Sequence, residues 1–313
     1  MKQLAEFIRQ GNCFAVISHV SPDGDTMGSA AALLYALKKL GKECKWICEG
    51  NVPSDYMKIP EIASLTTYKC SERYDSVICV DISSEDRMGS CLELFKRIKR
   101  TAQIDHHITN TMYAQVNVVE TRNANAFLVL QLIKELGIEL DREMARALFV
   151  GICTDTGRLS HAGVTARDVK DTAELYALDI AHNEIVSILF QTSSLKKIKL
   201  KGRASDHLQT AFDGKLAYTY LDTEDYAAFC AASSDSEGVV ELCRSVEGAE
   251  IAVFIRQIED GYKVSMRCIP DHDVSVIASR FGGGGHKLAA GCTVNAPRDE
   301  VFQMLFDAFK EVL

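Results

Sequence analysis

Residues 13–29 read Cys13-Phe14-Ala15-Val16-Ile17-Ser18-His19-Val20-Ser21-Pro22-Asp23-Gly24-Asp25-Thr26-Met27-Gly28-Ser29, and this stretch decides the fold class. A short apolar run ends at His19, a turn carrying Pro22 and Gly24 follows, and residues 30–40 have the pattern of an amphipathic helix. Strand, loop and helix in that order put one imidazole and two carboxylates at the carboxyl end of a strand, where open α/β sheets bind ligands. Asp23 and Asp25 flank a single glycine, and in an extended segment both would point to one side. Carboxylates held together repel unless a cation neutralises them. One histidine with two aspartates suits a divalent metal, Mn2+ more than Zn2+. The competing reading is a polar turn in which Asp23 or Asp25 caps the helix.

Three later stretches bear on that choice. Residues 76–81 form a buried strand ending in Asp81, and residues 100–104 a shorter one ending in Asp105-His106-His107. A helix over 142–152 is followed by Thr154-Asp155-Thr156-Gly157. Further strands are expected at 43–48 and 114–119, and further helices at 125–136 and from the capping box Thr165-Ala166-Arg167-Asp168 onward. This alternation predicts an α/β fold with a mostly parallel sheet flanked by helices. A second, smaller α/β or α+β unit follows, with a strand at 215–221, a hairpin over 251–268, a helix at 273–280, the run Phe281-Gly282-Gly283-Gly284-Gly285-His286-Lys287 and a last helix at 299–312. The expected boundaries are 1–190, a linker at 191–206 and 207–313. Lys196, Lys197, Lys199, Lys201 and Arg203 read there as a solvated linker or helix face.

The 313 residues suit two domains. Hydrophobic residues make up 47% and charged residues 25%, the balance of a globular chain, and no apolar run reaches membrane-spanning length. The first ten residues read as a short helix and not a signal peptide. With no export signal, the 11 cysteines are expected as reduced thiols in a cytoplasmic protein. The Cys44 and Cys48 spacing is not a usual zinc half-site. A net charge of −8 excludes a broad grip on long duplex nucleic acid, while a metal centre can still attract a small anion.

Charge arithmetic favours two ions. Asp23, Asp25, Asp81 and Asp155 bring four negative charges, which two divalent cations balance. Two ions about 3.5–4 Å apart make a bridging hydroxide a nucleophile near neutral pH. Glycines 282–285 let backbone approach a ligand, and their N–H groups can cradle an anion. Arg267 at the end of a strand can meet a phosphate bidentately; Arg158 and Lys287 are weaker candidates.

The ordered segments His19-Val20-Ser21-Pro22-Asp23-Gly24-Asp25, Val80-Asp81, Asp105-His106-His107 and Thr154-Asp155-Thr156-Gly157 resemble the motifs of the DHH phosphoesterases. Residues 281–291 resemble the Gly-Gly-Gly-His motif of the DHH-associated C-terminal domain. Together they cover nearly the whole chain, and its size is most similar to the bacterial nano-RNA hydrolases, which also act on 3′-phosphoadenosine 5′-phosphate. The resemblance implies that His19, Asp23 and Asp81 hold one metal, and Asp25, Asp81, His106 and Asp155 a second, with Asp81 bridging. It implies two divalent ions, Mn2+ before Mg2+. It places Asp105 behind a ligand imidazole and His107 at the scissile phosphate. Gly283, Gly284, Gly285, His286, Arg267 and Arg158 are the candidate substrate residues, with a turn and a surface charge as the competing readings of the glycines and of Arg267. The segment Asn123-Ala124-Asn125-Ala126-Phe127 departs from the small hydroxyl residues and acid often found there.

The expected function is two-metal hydrolysis of short single-stranded RNA or DNA and nucleoside bisphosphates, with no membrane partner and a homodimer as the candidate assembly. Cyclic or linear dinucleotide hydrolysis and a non-catalytic nucleotide-binding regulator are the alternatives. A family II inorganic pyrophosphatase shares the first motifs, but the glycine run argues against it. A processive exonuclease would need a longer chain and a basic track.

Overall fold

The computed structural model describes residues 1–50, 52–65, 73–161 and 163–313, and the chain divides into two units, Met1–Thr192 and Ser193–Leu313. The first begins with α1 (Lys2–Gln10), β1 (Cys13–Ile17), α2 (Gly24–Lys39) and β2 (Glu43–Ile47). Next come α3 (Pro60–Ala63), β3 (Ser76–Val80), α4 (Cys91–Arg97), β4 (Arg100–Asp105) and β5 (Val116–Val119). Helices α5 (Asn125–Glu135), α6 (Arg142–Asp155), α7 (Ala166–Tyr176) and α8 (His182–Val186) complete it.

The five strands pair in parallel in the order β2-β1-β3-β4-β5. Strands buried on both faces read as continuous apolar runs, which is why β1 and β3 show no polar alternation. Phe14, Val16, Ile78 and Val80 pack with Leu4, Ile8, Leu33, Phe127 and Leu148 on one face. Ala15, Ile17, Val77 and Cys79 pack with Met88, Leu94 and Phe95 on the other. Strand order reverses between β1 and β3, so their carboxyl ends open a ligand crevice.

Two expectations change here. Helix α2 begins at Gly24, not at residue 30, so Asp25 lies in its first turn and not in an extended segment. Helix α6 runs three residues past its expected end at 152, so Asp155 is its last residue. Helices α2 and α6 cross closely: a Cβ on Gly28 would stand 2.4 Å from the Ala147 carbonyl oxygen, and one on Gly151 would stand 2.6 Å from Asp25 Oδ1. Glycine at the crossing lets the last turn of α6 reach the first turn of α2.

The second unit contains α9 (Leu195–Asp206), β6 (Gln209–Ala211), β7 (Leu216–Leu221), α10 (Thr223–Ala228), α11 (Val240–Arg244), β8 (Ile251–Ile258) and β9 (Gly261–Cys268). It closes with α12 (Val274–Arg280), β10 (Gly284–His286), β11 (Ala289–Val294) and α13 (Arg298–Lys310). The mixed sheet has the order β10-β11-β9-β8-β7-β6, with β7 and β8 parallel and the other pairs antiparallel. The stretch expected as a linker is mostly α9, whose Leu200 and Ala204 are buried with Ala217, Val240 and Phe254. Its lysines face outward, as in the ion pair of Lys196 with Asp235 at 2.9 Å. The glycine run is not simply a loop either, because Gly284–His286 is an edge strand paired to β11. Among the described residues no helix is long and apolar enough to cross a membrane.

Candidate metal centre

Each candidate ligand sits at an element's end in the first unit. Asp23 is the N-cap of α2: its Oδ1 accepts from the Thr26 backbone N–H at 3.0 Å and from the Thr26 hydroxyl at 3.0 Å. The capping reading and the ligand reading therefore both apply to Asp23. Asp81 directly follows β3 with φ 58°, a left-handed conformation that aspartate adopts more readily than most residues. Its N–H donates to the Ile104 carbonyl at 3.0 Å, which fixes the side chain at the crevice floor. Asp105 ends β4, and His106 and His107 follow at once.

The fold brings these groups together. Among the described residues three clusters hold ligand atoms within 4.8 Å of one another: His19, Asp23 and Asp81; Asp25, His106 and Asp155; and Asp81, His106 and His107. His106 Nε2 lies 3.3 Å from Asp81 Oδ1, 3.6 Å from Asp155 Oδ2 and 3.9 Å from Asp25 Oδ2. His19 Nε2 lies 3.9 Å from Asp81 Oδ2, so Asp81 stands between the two histidines. Asp81 is 2% exposed, and its Oδ1 makes no well-aligned hydrogen bond among the described residues, although His106 Nε2 stands 3.3 Å away. A buried carboxylate oxygen without a well-aligned donor costs free energy that a coordinated cation removes.

The electrostatics agree. Burial, reinforced by the Asp81 carboxylate, pushes Asp25 up to about 7. Burial and the Asp25 carboxylate raise Asp155 well above the usual carboxylate range. Burial also opposes ionisation of Asp81, but the adjoining His106 imidazole outweighs it and holds Asp81 below the usual range. Burial disfavours a charge on His106, yet Asp81 overrides it and pushes His106 up to about 11. Burial lowers His19 despite the Asp81 charge. The upward shifts of Asp25 and Asp155 mark the cost of gathering these carboxylates with no cation among them. Divalent cations would remove that cost, and the donor set of four carboxylates and two imidazoles fits them.

The groups behind the ligands refine the sequence reading. Asp105, fully buried, accepts from His107 Nδ1 at 2.8 Å and from Asn110 Nδ2 at 2.6 Å, so the imidazole it orients is that of His107. His106 instead donates Nδ1–H to the Arg122 carbonyl at 2.9 Å, which turns Nε2 toward the three aspartates. The Arg122 guanidinium is clamped by Asp168 and Asp171, each at 2.8 Å, and Asn123 Nδ2 donates to the same Asp168 at 2.7 Å. Two residues on, the N–H groups of Asn125 and Ala126 both donate to Asp25. The segment that departs from the family pattern is thus the strap that orients His106 and Asp25. Thr26, Asn110, Arg122, Asn123 and Asp168 were not legible as site residues. Only Asp168 gave a signal, its capping box, and that box is present.

The candidate substrate residues are not all gathered here. Arg158 is exposed and stacks over the Phe190 ring at 4.9 Å. Arg267, Gly283, Gly284, Gly285 and His286 belong to the second unit. Arg267 is half-buried and its Nε lies 3.5 Å from Glu241 Oε1. Gly285 has φ 145°, and a Cβ there would stand 2.5 Å from the Ala289 carbonyl oxygen, so the β10–β11 turn requires glycine. His286 is described through its backbone; its side chain lies outside the described part of the chain.

Comparison with known proteins agrees with this geometry. The family description "DHH family, N-terminal domain" matches residues 13–152, and "DHHA1 domain" matches residues 213–313. The bifunctional oligoribonuclease and PAP phosphatase NrnA of Thermus thermophilus is 31% identical over 100% of this chain and 94% of its own. The Bacillus subtilis protein of the same name is 24% identical over 92% of this chain and 91% of its own. An exopolyphosphatase-related protein from Bacteroides fragilis superposes with a TM-score of 0.94 at 22% identity, covering 99% of this chain and 95% of that one.

Proposed function

Since this chain belongs to the DHH family and is a hydrolase of phosphoester bonds, we propose that it cleaves short oligonucleotides and removes the 3′ phosphate of 3′-phosphoadenosine 5′-phosphate. The observation that carries the reading is Asp81: buried, without a well-aligned hydrogen bond at Oδ1 and shared by the clusters around His19 and His106. In the proposed site His19, Asp23 and Asp81 hold one divalent ion, and Asp25, Asp81, His106 and Asp155 the other, with Mn2+ preferred and Mg2+ accepted. Bound ions would supply positive charge to the phosphate and lower the pKa of water.

The chain's own groups do the rest. Asp105 fixes the His107 ring through Nδ1, which leaves Nε2 as the atom that gives or takes a proton at the reacting phosphate. The Arg122 carbonyl keeps His106 in the tautomer whose Nε2 ligates. In the second unit, Arg267 and the backbone of Gly283, Gly284 and Gly285, with His286, hold a phosphate or base remote from the cleaved bond. Binding energy spent there orients the reacting centre. The two matching relatives bear names for both activities, which supports pairing them here.

A turnover panel tests the proposal. Two- to five-residue RNAs, 3′-phosphoadenosine 5′-phosphate, cyclic dinucleotides and pyrophosphate are each supplied with Mn2+ or Mg2+. Fast release of mononucleotides and of 3′ phosphate is expected. Faster turnover of cyclic dinucleotides or pyrophosphate than of any short RNA would overturn it.

A further inference from the structure

Strand β4 is apolar on one face only. Ala102 and Ile104 enter the core of the first unit, and Thr101, Gln103 and Asp105 alternate with them on the other side. Gln103 is fully buried, and its partners in the register are Cys79 of β3 and Asn117 of β5. An apolar side chain would fill that place with no polar atom to satisfy, so the use of the amide lies in what it holds. Each of its polar atoms is engaged. Nε2 donates to Asn117 Oδ1 and, at 3.1 Å, to Asn110 Oδ1, while Oε1 accepts from Asn110 Nδ2 at 2.9 Å.

Backbone groups fix the direction of this network at two points. The Ala114 N–H donates to Asn117 Oδ1 at 3.1 Å, and the Ala114 carbonyl accepts from Asn117 Nδ2 at 2.7 Å, so the Asn117 amide cannot turn over. The Met112 N–H donates to Asn110 Oδ1 at 2.7 Å and fixes that amide in the same way. Asn117 therefore offers an oxygen to Gln103. Asn110 is left with Nδ2 toward Asp105 Oδ2 at 2.6 Å and toward the Ile82 carbonyl at 3.1 Å. Asp105, met by a donor at Oδ2, takes the His107 Nδ1–H at Oδ1, at 2.8 Å. A network whose members are all satisfied holds its last group more firmly than single bonds would.

We propose that Gln103 and Asn117 are positioning residues for His107: through Asn110 and Asp105 they hold its ring with the proton on Nδ1 and the lone pair on Nε2. The link to turnover rests on the function proposed above, in which His107 Nε2 handles the proton at the reacting phosphate. The tautomer stands without it. The series starts at β5, the edge strand of the sheet, and ends in the crevice. Among the described residues Gln103 and Asn117 bond to none of the proposed metal ligands.

The test uses the Mg2+-loaded full-length protein labelled with 15N-histidine, as wild type, Gln103→Met and Asn117→Ala. Proton–nitrogen spectra, with the His107 signals assigned from His107→Gln, show which ring nitrogen carries the proton. Wild type should carry it on Nδ1. Each variant should lower the ratio of that tautomer to the other on the order of tenfold, the scale of one lost hydrogen bond. It should lower kcat for diadenylate by a similar factor, with KM and bound metal unchanged. Asn117→Asp keeps an acceptor toward Gln103 and should restore the wild-type spectrum. A wild-type proton on Nε2, or an unchanged His107 tautomer in the variants, overturns the proposal; if the variants then only melt earlier, the network is structural alone. Should buried Gln103→Met fail to fold, Asn117→Ala decides, because Asn117 is half-buried on an edge strand. If the variants shift the tautomer but wild type hydrolyses neither short RNA nor nucleotide, the positioning stands and the functional reading fails. Turnover with an insensitive tautomer leaves the function and removes the positioning role.

Discussion

Asp81 combines two demands that few residues meet. Its backbone holds φ 58°, and its carboxylate is buried between His19 and His106. Asparagine tolerates the left-handed region while alanine does not, so two substitutions separate backbone from charge. Asp81→Asn should keep the fold, lower bound metal below two per chain and slow turnover by at least about 10²-fold, the scale of losing one charge-stabilising group. Asp81→Ala should do the same and also melt earlier, by roughly 1–3 kcal/mol of backbone strain. Metal analysis and thermal melts check both; full metal with near-normal turnover in Asp81→Asn would refute the shared-ligand assignment. Gly151 makes a second demand at this scale. A methyl there meets Asp25 Oδ1 at 2.6 Å and Ala126 Cβ at 2.9 Å. Gly151→Ala should cost about 1–3 kcal/mol in a denaturant titration, as overpacked cores do, and weaken metal binding.

At the scale of elements, the strap from Arg122 to Ala126 joins β5 to α5 and serves ligands from two other elements. Its carbonyl at Arg122 sets His106, and its N–H groups at Asn125 and Ala126 set Asp25. Asp168, buried at the start of α7, anchors it. Asp168→Asn removes one of the two carboxylates on Arg122 and leaves Asp171, so stability should fall by about 1–3 kcal/mol, the scale of a lost hydrogen bond to a charged group. Metal affinity should drop roughly 10–100-fold, the usual cost of disturbing a residue behind a ligand. Burial opposes the Asp168 charge, but hydrogen bonds from Thr165, Arg122 and Asn123 win and depress its pKa. A depressed carboxylate stabilises the fold above its unfolded value, near 3.9, and that contribution is lost as pH falls through the folded pKa. Wild type should therefore lose stability steeply below about pH 4, and Asp168→Asn should show a shallower acid limb. Identical limbs would mean that Asp168 does not anchor the strap.

At the scale of the molecule, the proposed chemistry and the proposed grip on the substrate's far end lie on different units. His286→Ala should then reduce kcat/KM for nucleotides on the order of 10²-fold while sparing a small chromogenic phosphodiester. His107→Ala should slow both by a similar factor, because it acts where charge develops. Equal losses on both substrates in His286→Ala would assign the glycine segment a structural role instead. The overall charge of −8 does not conflict with an anionic substrate, since divalent ions bound at the carboxylate cluster would concentrate positive charge locally.

The sequence by itself determined the α/β class and offered the two-unit division and the candidate ligand types, for a local reason. Apolar runs ending in Asp81 or in Asp105-His106-His107 specify a buried strand and what stands at its tip, because pattern and burial are properties of neighbouring residues. It likewise located the hairpin over 251–268, turned at Gly261. Tertiary structure decided what depends on residues far apart. The crossing of α2 and α6 at Gly28 and Gly151, more than a hundred positions apart, is what brings Asp155 from a helix end to Asp25. The pairing of Gly284–His286 with β11 made an edge strand of a run that carries no strand-forming side chains, because backbone hydrogen bonds need none. Asp168 meets Arg122 across 46 residues, and no local pattern encodes a contact at that range. The facing of Arg256 and Lys263 is a matter of strand register, which the fold sets when it buries the other side of β9.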